Sequence, residues 1–170
     1  DWSSAVCSSD LLRSIDHAGR QGQLRTQLRM VHEANQSVAL REVGSVIPGD
    51  FIYQQVRGYL QQTNQVSRDH LDIVDDIRKP DGHRLAKLPQ EKRVLCARLC
   101  ALVLLIGKLS TDGPKATGLR ATEAVLADLL VEDLAKDGTT LRERVPELLA
   151  TLCEDSVLMK LGEEYRLQTR

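Results

Sequence analysis

The residues able to do chemistry are few, and most sit in surroundings that suppress it. Gly107-Lys108 has the ending of a phosphate-cradling loop, but Leu109 stands where Ser or Thr would hold magnesium, and no Gly-x-x-x-x-Gly-Lys-Ser/Thr occurs. The chain by itself therefore lacks a P-loop and is not expected to bind or hydrolyse ATP, so no cofactor is assigned to it. Ile73-Val74-Asp75-Asp76 has the look of strand-end acids that hold magnesium. Asp72 interrupts that apolar run, however, and Leu71, Val74 and Ile77 are spaced as on a helix. Cys96 and Cys100 lie one helical turn apart, a spacing that could hold zinc, yet the residues around them are Leu and Val. There Cys packs as a small hydrophobe, so no metal site is expected. His17, His32, His70 and His83 are scattered, and no pair of carboxylates stands out for acid–base work. Arg142 and Arg144 are the cations that a last, outward-facing helix could offer to nucleic acid, set among Glu143, Glu147, Glu154 and Asp155.

The elements that would position these residues are mostly helical. Leucine contributes 27 residues and aromatics only 3% of the chain, which favours helix over strand. Leu24, Leu28, Val31, Ala34 and Val38 predict an amphipathic helix between Gly22 and Gly44. Pro48-Gly49 breaks it, and Asp50 is placed to cap a second helix bearing Phe51, Val56, Tyr59 and Leu60. Ser67 opens a third with Leu71, Val74 and Ile77 inside, ended by the turn Lys79-Pro80-Asp81-Gly82. Residues 80–90 read as a linker.

Val94 to Leu109 is apolar on most faces and predicts a helix buried on several sides. Thr111-Asp112-Gly113-Pro114 is a loop, and Thr122 to Leu134 a further helix. Thr140-Leu141-Arg142-Glu143 matches a capping box opening a helix with Leu141, Val145, Leu148, Leu149 and Leu152 on one stripe. Pro146 in its second turn predicts a local distortion. Val157 to Leu161, the turn Gly162-Glu163, and Glu164 to Gln168 predict a β-hairpin. Three helices followed by a hairpin is the layout of a winged helix. The expected architecture is mainly α: a helical lid-like domain over 12–79 and a winged-helix domain over 91–170.

Charge bears on the partner. The whole chain has net charge −1 and 42% hydrophobic residues. Residues 119–170 hold seven Lys/Arg against eleven Asp/Glu, a net −4, whereas 11–118 carry +5. Phosphate neutralisation supplies most of the affinity of a DNA reader, so weak DNA binding and protein partners are expected of the second half. The longest apolar run, Leu99 to Ile106, is too short to span a bilayer, so no membrane partner is expected. Four unpatterned cysteines fit a reducing cytoplasm. Residues 1–11 lack apolar periodicity and resemble the translation of a sequencing adapter, so they are set aside as a leader, and the chain is expected to be a piece of a longer protein.

Gly22-Gln23-Leu24-Arg25-Thr26-Gln27-Leu28-Arg29 resembles the signature that opens the lid helix of AAA+ ATPases of the initiator and loader branch. That resemblance implies that Arg25 senses the γ-phosphate held by an upstream P-loop domain. Gly49-Asp50-Phe51-Ile52-Tyr53, 97–103, Gly118-Leu119-Arg120-Ala121-Thr122, 127–134 and 164–169 are similar to the large P-loop ATPase of BREX phage-defence systems (BrxC/PglY-like). It covers essentially residues 12–170 and implies a non-catalytic piece of an ATP-hydrolysing protein. ATP and magnesium would belong to the parent, and the partners would be its other domains and further proteins of the defence complex. The alternative is a free-standing winged-helix, DNA-binding transcriptional regulator.

Overall fold

The computed structural model describes residues 19–62, 66–109 and 118–168, with side chains from residue 25 onward. In chain order the elements are α1 (Gly19–Val38), α2 (Asp50–Gln62), α3 (Arg68–Arg78), α4 (Gln90–Ile106), α5 (Glu123–Leu129), α6 (Asp137–Glu154), β1 (Leu158–Leu161) and β2 (Glu164–Leu167). The protein is thus mainly helical with one small antiparallel sheet among the described residues. The leader assigned to 1–11, the loop at 111–114 and Leu24's side chain lie outside what is described.

The apolar run becomes α4, buried from Leu95 to Ile106 at every position except Arg98. It packs against α2 and α3 on one side and α5, α6 and β2 on the other. One core therefore runs from Met30 to Tyr165, continuous across residues 80–90. Tyr53, Val56 and Leu60 of α2, and Leu71, Val74 and Ile77 of α3, supply its first half at helical spacing. Val145, Leu148, Leu149 and Leu152 of α6 supply the second.

Several local expectations are corrected. The stripe predicted for α1 is not its buried face: Leu28 is 62% and Val31 54% exposed, while Met30 is buried. The helix lies with Met30, not the leucine stripe, toward the core. The helix also ends at Val38, before Gly44, which adopts φ +103.

At α5 the helix stops at Leu129 instead of Leu134. The chain beyond it turns to pair with 44–49: Gly49 N donates to Leu129 O (2.6 Å), Val46 N to Glu132 O (2.9 Å) and Leu134 N to Gly44 O (3.1 Å). Tertiary hydrogen bonds replace the helical ones. The capping box at Thr140 does not form. Helix α6 begins three residues earlier at Asp137, whose carboxylate accepts from the amides of Glu132 (3.0 Å) and Asp133 (2.8 Å). Thr140 lies inside the helix and its hydroxyl donates to Lys136 O. Pro146 stands within α6, which continues past it.

The hairpin forms at the expected place. Leu158 pairs with Leu167 and Leu161 with Glu164, leaving Gly162-Glu163 as the turn. Gly162 takes φ +62 at the first turn position, which glycine adopts freely. Tyr165 N also donates to Ala121 O (2.9 Å), so the segment before α5 runs alongside β2.

The α3–α4 connection is built around Arg93, 4% exposed. Its guanidinium donates to the carbonyls of Lys79 (2.7 Å), Pro80 (3.0 Å), Gly82 (3.0 Å) and Asp76 (3.3 Å). These carbonyls lie at and just beyond the end of α3, where no helical donors reach them. Asp76 closes the same turn by accepting from the amides of Arg84 (2.8 Å) and His83 (3.2 Å). Gly82 is needed here for room, because an added Cβ would collide with the Asp76 carbonyl and crowd the Arg93 guanidinium. Gly58, in the middle of α2, has nothing within 4 Å of such a Cβ. Opposite effects should follow in urea unfolding: Gly82→Ala should cost about 1–3 kcal/mol by overpacking, whereas Gly58→Ala should stabilise by about 0.5–1 kcal/mol. Equal effects of the two substitutions would contradict this account of the turn.

Candidate functional site

Arg25 is exposed on α1. Arg142 and Arg144 lie on α6, but neither projects as an unpaired cation. Arg142 donates through Nε (3.0 Å) and Nη2 (2.9 Å) to one carboxylate oxygen of Asp128 on α5. Arg144 donates to Glu91 on α4 at 3.0 Å. Among the described residues, Arg25 shares no hydrogen bond or ion pair with Arg142, Arg144 or their acidic partners. Asp128 and Glu91 carried no signal in the sequence, because their separation from the arginines, 14 and 53 residues, is set by helix packing.

Between α4, the α5–α6 connection and α6 lies a cleft of about 530 Å³. Val94, Leu95, Leu130 and Leu141 form its apolar lining, and Arg98 and Arg144 are its cations. Arg98 grips the buried carboxylate of Asp50 with two hydrogen bonds (3.0 and 2.9 Å) and Glu132 with a third (2.7 Å). Glu132 also meets Arg41 at 3.4 Å. Asp50 was expected to cap α2. It does begin the helix, but its carboxylate serves Arg98 across the core, since a buried guanidinium left without a partner is costly. This network is what sequence reasoning missed; Arg98 as a lone charge in an apolar run was its only trace.

The metal-type constellations resolve as helix surface or core. Asp75 and Asp76 stand on α3, not at a strand end. Asp75 is paired with Arg57 of α2, and Asp76 is spent on the turn amides. Burial pushes the Cys96 thiol up to about 11 and Cys100 further in the same direction, which keeps both as inert thiols at neutral pH. Among the described residues no three His, Cys, Asp or Glu side chains converge as metal ligands. No described helix is long and apolar enough to cross a membrane.

The hairpin is anchored by Glu123 at the start of α5. Its carboxylate accepts from Lys160 (2.8 Å) and the Tyr165 hydroxyl (2.6 Å), and the ammonium sits 5.2 Å from the Tyr165 ring centre. The Lys160 hydrogen bond, then that of Tyr165, hold Glu123 below the ordinary carboxylate range. For Asp76 burial pushes upward, and the amides of Arg84 and His83 outweigh it, so this group is also lowered. A carboxylate lowered on folding stabilises the protein above its unfolded pKa, and that stability is lost as pH falls through its folded pKa. The melting temperature should therefore decline on acidification below about pH 5, and Glu123→Gln should make that decline shallower. An unchanged acid slope in the variant would show that Glu123 contributes nothing to it.

Compared with known proteins, the chain matches no family model, no curated protein and no solved structure.

Proposed function

We propose that the chain is a non-catalytic coupling module of a P-loop ATPase of the BREX phage-defence type, working through protein contacts. In this reading α1–α3 form the lid-like half, and α4–α6 with the hairpin form a winged helix. The observation that carries the winged-helix part is the bond from Tyr165 N to Ala121 O. It sets a third backbone segment, lying between the first and second helices of the unit, against the second strand of the wing. The preference for protein over DNA rests on Arg142 and Arg144, whose guanidinium groups are already committed to Asp128 and Glu91. Freeing them for phosphates would leave two carboxylates on the same face, and counterion release from two contacts supplies little affinity.

Fluorescence anisotropy with duplex DNA tests the preference. The full chain should bind no more tightly than about 10⁻⁴ M at physiological salt. Submicromolar binding that disappears in the double variant Arg142→Ala, Arg144→Ala would replace the coupling module with a DNA reader.

The lid assignment has its own test. Arg25 is exposed, so Arg25→Ala should change stability by less than about 0.5 kcal/mol. In a full-length parent carrying Walker motifs upstream, the same substitution should lower the ATPase rate. Normal hydrolysis by that variant, or a parent reading frame with no Walker motif, would remove the lid role.

A further inference from the structure

Among the described residues, helix α1 keeps its apolar stripe uncovered. Leu28 and Val31 are exposed, while Met30 on the other side holds the helix to the core. Position 24 precedes and Val38 follows them in the series 24, 28, 31, 35, 38, which alternates steps of four and three. That is the seam of a heptad repeat, with Leu28 and Asn35 at a, and Val31 and Val38 at d. Burial agrees with the assignment. Met30 at c is buried, and Thr26, Gln27, Glu33 and Ala34 at f and g are half-buried. Arg25 and His32 at e, and Arg29 at b, are exposed. The seam and its e flank therefore face outward as one surface. Glu33 is the one acid in the sequence of α1, and it stands at f, where it meets Arg29 at 3.9 Å. Arg25 and His32 make no ion pair with a described residue.

We propose that the outer face of α1 docks an amphipathic helix of a partner protein that carries Glu or Asp beside its own apolar seam. Spacing identifies the partner's form, because a stripe in heptad steps stays in register against another helix wound around it. Charge identifies its chemistry. Leu28 and Val31 fill holes on the partner, and Arg25 and His32 donate to carboxylates at its flanking positions. Asn35 calls for a polar group opposite it, which fixes the register. A second copy of the chain supplies no such carboxylates. In a parallel pair, Arg25 and His32 fall beside positions Arg20 and Gln27 of the other copy, and in an antiparallel pair they fall beside one another. Nucleic-acid phosphates suit the arginines but leave Leu28 and Val31 in water. A lipid surface covers those two but takes in Asn35 with them, and α1 has no aromatic residue to anchor it there. The proposal stands apart from the lid reading, since it concerns α1 of this chain without nucleotide.

The test is fluorescence anisotropy of the full chain with a labelled peptide of about four heptads. The peptide has Leu at a and d, one Asn at a, and Glu at e and g, and its twin has Lys in place of every Glu. The acidic peptide should bind saturably at roughly 10–100 μM, and the lysine twin at least about tenfold more weakly. Leu28→Glu with Val31→Glu should abolish binding of the acidic peptide and leave the circular dichroism spectrum unchanged. Arg25→Glu with His32→Glu should invert the preference between the twins, and that inversion decides the question should the Leu28, Val31 variant fail to fold. Equal binding of the twins, or no saturable binding by about 1 mM, overturns the proposal. So does dimerisation of the chain in sedimentation that Leu28→Glu abolishes, which gives the face to a second copy. Tighter binding to duplex DNA, or to vesicles of phosphatidylserine and phosphatidylcholine, than to the acidic peptide overturns it as well.

Discussion

Arg93 and Arg98 are the two charges that α4 carries into the core, and the surrounding elements are arranged to receive them. A guanidinium withdrawn from water without partners would cost several kcal/mol. Arg93 donates through Nη1 and Nη2 to four carbonyls at and beyond the end of α3, its Nε alone being left without a partner, and Arg98 is held by the carboxylates of Asp50 and Glu132. The consequence is positional. Helix α3 must end beside Arg93, α2 must begin beside Arg98, and the connection after α5 must bring Glu132 to the same point. An apolar helix alone would attract neighbours without specifying where they stop.

The pairing of 44–49 with 129–134 follows from that arrangement. Glu132 reaches Arg98 while its carbonyl accepts from Val46, so one residue ties the loop before α2 to the connection before α6. On the opposite side Glu123 ties α5 to the hairpin through Lys160 and Tyr165. Helix α1 is less enclosed, with Leu28 and Val31 left in solvent. The described fold is thus held by α4 through apolar contact and by a few charged contacts at its margins.

Electrostatics at the surface depend on which carboxylate each arginine meets. A count over 119–170 describes a uniformly acidic half, yet the folded chain divides it. Arg142 and Arg144 are matched one to one with acids of α5 and α4, and Arg120 with Glu164 of the hairpin, whereas Arg166 is exposed and makes no ion pair with a described residue.

Residue spacing alone determined the helical class, the buried character of α4, the inward stripes of α3 and α6, and the hairpin with its Gly162 turn; for α2 it found Val56 and Leu60 but passed over the buried Tyr53 in favour of the half-buried Phe51 and Tyr59. These depend on periodicity and on backbone preferences that act within a few residues. Tertiary structure decided the rest. The capping box at Thr140 lost to Asp137 because Asp137 could serve two amides of the preceding connection. The α1 stripe lost to Met30 because burial depends on what lies opposite a face as well as on how apolar it is. Asp50, Arg93 and Arg98 each found partners 11 to 48 residues away. Such partners are chosen by the cost of leaving a buried charge or carbonyl unpaired, a cost that exists only once the chain has closed around it.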